Sequence, residues 1–308
     1  MMALILCAGV GLDALLGEPT HGHPLVGFGR FATIIERQLW CNHRGVGVLA
    51  WTLSVMPCVV LAWTVQTALA QVSPWLAGGF EVVVLYIAIG MRSLAEHARR
   101  VEETLQHCDL PGARVAVACI VGRDTAALDA ERVAAAATES VLENGNDATF
   151  GALFWCAVLG APGVVLYRLA NTLDAMWGHH TTRYVYFGWM AARADDVLNY
   201  LPARLVALTY ALCGRFGRAW HCWRTQGTRW ISPNAGPVMA AGAGALGVRL
   251  GGPASYHGEA WPDRPELGEG TPADAAAIER AVRLVRRGVV LWLIVASFAG
   301  AIVWGLHA

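Results

Sequence analysis

The sequence predicts an all-α, polytopic integral membrane protein with broken or re-entrant helices and sizeable cytoplasmic loops. Three observations predict it. Apolar residues make up 56% of the 308 and charged residues only 15%, against roughly 45–50% and 25% in a soluble domain. Two uncharged runs, 48–70 and 289–307, each reach the ~20 residues that a helix needs to cross a bilayer. A third run, 150–170, is long enough but carries Gly-Ala-Pro-Gly at 160–163. Such a break is tolerated in a membrane only where neighbours satisfy the freed backbone groups, so a broken or re-entrant helix is the reading there.

The remaining elements follow in order. The N-terminal run 1–16 carries Asp13 and lacks a basic stretch, so it reads as retained and not as a signal peptide. It could be a short span or a buried core helix, as could 79–90 and 202–213. The turn 71–78 has no charge. If 48–70 and 79–90 both cross, it lies outside, and the Arg-bearing stretches 17–47 and 91–149 are cytoplasmic. Within 91–149 a helix is expected at 91–107 and another from about 124 to 145. The β-branched stretch 114–122 between them could be a strand, a helix or an extended connector. The Gly- and Pro-rich segment 251–273 reads as an irregular loop. Ile278, Val282, Val285 and Val289 keep helical spacing, so an amphipathic helix should run into the last span, with Arg283, Arg286 and Arg287 at headgroup level. One membrane-embedded domain covering 1–308 is the simplest organisation.

All 23 basic residues are Arg. Without Lys there is no lysine Schiff base and no Walker-type phosphate loop. The formal net charge is zero, which gives no footprint for nucleic acid. The eight cysteines show no C-x-x-C spacing and several sit in apolar runs, so they read as reduced small hydrophobes.

Polar residues gather beside the apolar runs in five places. At 12–24, His21 and His23 could be metal ligands on an extended loop; two solvated histidines are the plain alternative. At 121–125, Arg123, Asp124 and Thr125 precede a helix; Asp124 or Thr125 could cap it, and the free N–H groups there could hold a phosphate. At 139–147, Glu139, Glu143 and Asp147 recur every four residues on one helix face. That run is either a solvated face or a carboxylate set for Mg²⁺ carrying nucleotide phosphates. At 167–178, Arg168, Asn171 and Asp174 share roughly one face just beyond an apolar run, as a functional group or as a structural ion pair. At 191–204, Asp195 and Asp196 are neighbours, and only one of two adjacent helical residues faces any given site. "SPNAGP" (232–237), with Asn234, then opens a small-residue stretch, 238–252, suited to close helix packing or, less well, to a phosphate cradle.

The order of these motifs carries more than any one of them. "LDALLGEPTHGHPLVGFGR", "VGRDT", "ESVLENGND", "APGVVLYRLANTLDAM", "AARADDVLNYLPARL" and "NAGPVMAAGAGALGVRLGGPASYHG" together resemble the CobD/CbiB family over about residues 10–270. The family usually shows a single His-Pro in the first motif, which His23–Pro24 matches. These are membrane-bound adenosylcobinamide-phosphate synthases of cobalamin biosynthesis. The resemblance implies ATP-dependent amide formation between a propionate of adenosylcobyric acid and 1-aminopropan-2-ol or its O-phosphate. It also implies the bacterial inner membrane, a cytoplasmic active site and contact with other corrinoid-pathway enzymes. A carboxylate is a poor electrophile; ATP would convert it to an acyl phosphate that the amine attacks. On residue type, Glu139, Glu143 and Asp147 would hold Mg²⁺, and Arg123 and Arg168 would contact phosphates. Asp195 or Asp196, with Asp174 nearby, would orient or deprotonate the amine; Asp124, Thr125, Asn171, Asn234 and His23 would bind substrate.

Two other classes fit parts of the pattern. A transporter would share broken helices and intramembrane charge, but the chain has no repeated halves. A non-catalytic membrane partner of corrinoid enzymes would tolerate neutralising Glu143 or Arg123. The enzyme reading sets one structural condition. The acids at 139–147 and the polar groups at 171–199 must share a face, so the chain must enter and return at 160–163.

Overall fold

A computed structural model describes residues 1–19, 22–179, 181–256 and 259–307, so His21 lies outside the described residues. Among the described residues, twelve helices and five short strands follow in order. They are α1 Met2–Leu16, α2 Pro24–Leu39, α3 Arg44–Val72, α4 Pro74–Ala88, α5 Met91–Gln106, α6 Leu110–Ala118 and α7 Ala130–Gly145. A π-helical turn, Asn146–Phe150, leads into α8 Gly151–Trp177, then α9 Trp189–Cys213, α10 Phe216–Gln226 and α11 Ala235–Leu246. The strands β1 Val248–Gly251, β2 Ala254–Tyr256, β3 Glu259–Trp261, β4 Glu266–Leu267 and β5 Thr271–Pro272 precede α12 Ala275–His307. Among the described residues, four helical stretches are long and apolar enough to cross a membrane: Arg44–Val72, Pro74–Gln106, Ala130–Trp177 and Ala275–Ile302. The polytopic, mainly helical architecture read from the sequence is the one observed.

Several boundaries differ from expectation for local reasons. The helix expected from about 124 starts at Ala130, because Asp129 and not Asp124 or Thr125 caps it, accepting the Arg132 N–H at 2.8 Å. The β-branched stretch 114–122 is mostly helix, nucleated by the Asp109 cap and Pro111 in its first turn. The segment 251–273 contains the short strands: β1 pairs antiparallel with β4 and parallel with β5, and β2 with β3 forms a hairpin. The run 79–90 belongs to α4, which Ser73 caps and Pro74 opens.

The contacts divide the chain into two compact units. The first holds residues 1–90, 147–199 and 295–308. Its core joins Phe28 and Ala32 of α2, Trp51 and Val55 of α3, Leu173 and Trp177 of α8, and Phe187. Gly47 permits close approach here: a Cβ would sit 2.0 Å from the Phe187 carbonyl oxygen. The buried Glu36 accepts from Trp177 Nε1 at 3.1 Å, from both Nε and a terminal nitrogen of Arg183, and from Tyr184 Oη at 3.0 Å. Those donors tie the turn after α8 back to α2.

The break at 160–163 folds the chain back on itself. Gly160 adopts φ 65°, ψ −150°, and α8 becomes two arms side by side. A Cβ on Gly163 would lie 2.5 Å from the Trp155 carbonyl oxygen, and one on Gly151 would strike the Tyr167 ring. Tyr167 Oη donates to the Asp147 carbonyl at 3.2 Å. In a straight helix residues 151 and 167 would be about 24 Å apart. The vertex is held by α3 and α4. Gln66 Oε1 accepts the Ala161 N–H at 3.0 Å, and Gln66 Nε2 donates to Glu81 Oε1 at 2.7 Å. This satisfies a helix-start donor that an apolar surrounding would otherwise strand. Both mouths of the hairpin, Asp147 and Arg168, therefore open at the same end.

The second unit holds residues 91–146 and 200–294. The small-residue stretch begins in α11, which is buried along its length, and continues into β1. Gly236 presses on the Gly227 carbonyl, Gly242 on Leu142 and Gly244 on the backbone of Ala219. Close helix packing is what these residues serve. Tyr210 Oη bonds the Leu142 carbonyl at 3.0 Å, and Trp292 Nε1 bonds Thr209 Oγ1 at 2.8 Å, holding α7, α9 and α12.

Candidate functional site

In the first unit, the hairpin mouth carries a chain of polar contacts. Arg168 donates to Asn171 Oδ1 at 3.3 Å and reaches the Asp147 carbonyl at 3.5 Å. Asn171 Nδ2 donates to Asp195 Oδ1 at 3.2 Å. Asn199 Nδ2 donates to both Asp195 oxygens at 3.1 Å, while its Oδ1 accepts from Tyr167 Oη at 2.8 Å. The spacing of 168 and 171 on one arm, and of 195 and 199 on α9, puts four polar side chains on two facing surfaces. Burial pushes the Asp195 carboxyl above the ordinary aspartate range, and the amides of Asn171 and Asn199 draw it partly back. The neighbouring Asp196 lies 3.5 Å from Arg193, and its negative charge adds to the upward push on Asp195.

Two cavities border this mouth. One, of about 390 Å³, is walled by α2, α3, α4 and α8, and Arg168 is the charged residue in its apolar lining. The other, of about 600 Å³, is polar and includes Glu18, His23 and Arg30. Pro24 and Leu25 line both. Glu18 packs against Gly90, whose N–H donates to the Ala148 carbonyl at the hairpin entrance at 3.0 Å. His23 caps α2 through Nδ1, which accepts the Leu25 N–H at 3.2 Å; its Nε2 is buried without a partner. Arg168 Nε is likewise buried and unbonded. These are the donors an anionic substrate group would meet here.

In the second unit, Glu139 is buried between two guanidiniums. Arg123 pairs with it, Arg264 binds it at 2.6 Å, and the Gly251 N–H donates to its other oxygen at 2.6 Å. Arg264 also stacks on Trp230, 4.4 Å from the ring centre. Glu139, expected as a metal ligand, thus has two cations and a backbone N–H as its partners in the structure. Asp124 accepts from Ser255 Oγ at 2.7 Å, which fixes the β2 loop to the 121–125 stretch. A cavity of about 190 Å³ opens beside this pair, lined by Arg123, Arg132, Arg249, Glu131, Glu266 and the Gly251–Gly252 turn. Asn234 is held by Arg204 at 2.6 Å, so it braces the start of α11.

The structure thus gathers Asp147, Arg168, Asn171 and Asp195 into one network. Asp174 sits one turn further along α8 and His23 at the neighbouring cavity; Arg123, Asp124, Thr125, Glu139, Glu143 and Asn234 belong to the second unit. Among the described residues, no three His, Cys, Asp or Glu side chains are grouped to hold a metal ion. The residues expected to hold Mg²⁺, Glu139, Glu143 and Asp147, do not form such a group. The sequence reading left Tyr167, Asn199, Arg264 and the Gln66–Glu81 pair without roles. Asn199 keeps i, i+4 spacing with Asp195 and was the one detectable by pattern. Arg264 lies in a loop 125 residues from its partner, where no spacing rule reaches.

The model of the CobD/Cbib protein family matches residues 6–285. "Cobalamin biosynthesis protein CobD" of Stutzerimonas stutzeri is 60% identical over 94% of this chain and 95% of that relative. The protein of the same name from Chromobacterium violaceum is 54% identical over 99% of both chains, and that of Mycobacterium tuberculosis 40% identical over 89% of this chain and 88% of its own. No solved structure matches. A family match across nine-tenths of the sequence, with relatives aligned nearly end to end, places this chain in the CobD/CbiB family.

Proposed function

We propose that the chain works in cobalamin biosynthesis as an ATP-dependent acid–amine ligase. It joins a propionate of adenosylcobyric acid to 1-aminopropan-2-ol or its O-phosphate, in the bacterial inner membrane and from the cytoplasmic side. The names of the relatives support the pathway. The observation that carries the chemistry is the Asp195 network at the hairpin mouth. ATP would convert the propionate carboxylate to an acyl phosphate, releasing ADP. The amine nitrogen attacks the acyl carbon, the C–O bond to phosphate breaks, and the nitrogen loses a proton. Asp195, which Asn171 and Asn199 orient, would accept that proton. Arg168, with an unbonded Nε, would meet the carboxylate or the departing phosphate. In the second unit, Arg132, Arg249 and the Gly251–Gly252 turn offer the donors that nucleotide or amine phosphates require. Magnesium would enter on the nucleotide, and no step is assigned to it.

The test is direct. Detergent-purified protein is incubated with adenosylcobyric acid, ATP with magnesium, and either amine, and products are read by mass. An ATP-dependent amide is expected, and the preferred amine names the substrate. No product with either amine, from protein shown to be folded, would overturn the ligase reading in favour of a non-catalytic partner of corrinoid enzymes.

A further inference from the structure

The stretch 214–231, GRFGRAWHCWRTQGTRWI, carries four arginines and no acid. Its helix α10 buries Ala219 and Cys222 against α11, where Gly244 gives way to the Ala219 backbone. The opposite side is aromatic and faces outward: Phe216 is 49% exposed, Trp220 39% and Ile231 67%. Phe216 stacks on Trp220 at 6.0 Å, Trp220 meets Trp223 edge-on at 5.3 Å, and the Arg224 guanidinium lies 5.8 Å over Trp220. A soluble surface gains nothing from such a row.

The level of this row along α12 is set within the same unit. Trp292 Nε1 of α12 bonds Thr209 Oγ1 near the end of α9, so the two helices lie side by side there. α9 ends at Cys213, and α10 opens with Phe216 close behind it. Arg286 and Arg287 stand where the polar half of α12 gives way to its apolar half, which exposes Val290, Ile294 and Phe298. Aromatic rings with flanking arginines at that level are the composition of a membrane–water boundary. Arg215 and Arg218 turn toward the C-terminal end of α11, and His221 meets Glu269 at 3.3 Å. Arg224 and Arg229 remain on the outward side with Arg287.

We infer that the α10 face, Phe216–Trp220–Arg224 with Arg229 and Ile231, is a second membrane contact that rests on an anionic lipid leaflet. The aromatic rings enter the boundary between headgroups and acyl chains, and the arginines pair with lipid phosphates. The partner is a lipid surface bearing net negative charge, and this contact is independent of the reaction proposed above.

The full chain, with its exposed cysteines replaced, is labelled with a nitroxide at Trp220→Cys and placed in nanodiscs of phosphatidylcholine, with or without phosphatidylglycerol. Labels at Phe298→Cys and Glu103→Cys mark the membrane and water limits. Oxygen collisions are expected to dominate at 220 as at 298, with nickel-chelate collisions severalfold below those at 103, and the protection should deepen with phosphatidylglycerol. Arg224→Gln with Arg229→Gln should remove the phosphatidylglycerol dependence and leave activity in place. Collision rates at 220 matching those at 103 in both lipids would overturn the contact. Equal insertion in both lipids would overturn its preference for anionic charge.

Discussion

At Asp195 two side-chain amides converge on a carboxylate that burial has already biased toward its protonated form. The sign of the pH effect follows. A proton acceptor must be ionised, so turnover should rise with pH along a limb placed above the ordinary aspartate range. Asp195→Asn should lower kcat by about 100-fold or more and abolish that limb, measured on folded protein with saturating substrates. Asp196→Asn should change turnover little, since its partner is a surface arginine. Stability runs the other way. The folded state holds this proton more tightly than the unfolded chain, so the contribution from Asp195 is greatest below the unfolded pKa and declines as pH rises toward the folded one. Glu139 sits between two guanidiniums. Glu139→Ala would leave two guanidiniums without their counter-charge, and a loss of about 3–5 kcal/mol is expected in denaturant unfolding. A variant that lost turnover but not stability would return Glu139 to a direct role in the reaction.

The hairpin made by α8 is the element on which the candidate site depends. Gly160 occupies a backbone region that other residues enter only with strain, and a Cβ there would lie 2.7 Å from the Gln66 amide. Gly160→Ala should cost about 1–3 kcal/mol and lower turnover, because Tyr167 and Arg168 hang from the returning arm. Wild-type thermal stability and activity in that variant would mean that the vertex tolerates another path. The break at 160–163 was legible in the sequence, because Pro between glycines is a local signal. Its consequence was legible only as a condition on a shared site; the direction of the return depends on Gln66 and Glu81, which lie about 80 to 95 residues earlier. The same distinction separates the other outcomes. Asp109 and Asp129 caps override the β-branched pattern at 114–122 and the apparent cap at 124, since neighbouring side chains decide which donor is satisfied. Arg168, Asn171 and Asp195 were legible as polar residues beside apolar runs. Glu139 was read as a metal ligand because its two arginines come from a connector and a distant loop.

For the whole molecule, chain direction gives a check that needs no substrate. The turn after α8 is tied to α2 through Glu36 and Arg183, and Trp40 Nε1 donates to the Arg183 carbonyl at 3.3 Å. The exposed Cys41 and a cysteine at His179 should therefore react with an impermeant thiol reagent from the same side, the cytoplasmic one expected from the arginine-bearing loops. Labelling of position 179 from outside only would contradict a cytoplasmic exit. The vertex also bears on how the protein is made. Gln66 and Glu81 leave the ribosome well before Gly160, so α3 and α4 can present a complete polar socket before the segment that needs it is synthesised. The returning arm then finds an acceptor for its first free N–H on arrival. Translation order thereby spares the nascent chain an interval in which a bare helix start faces lipid.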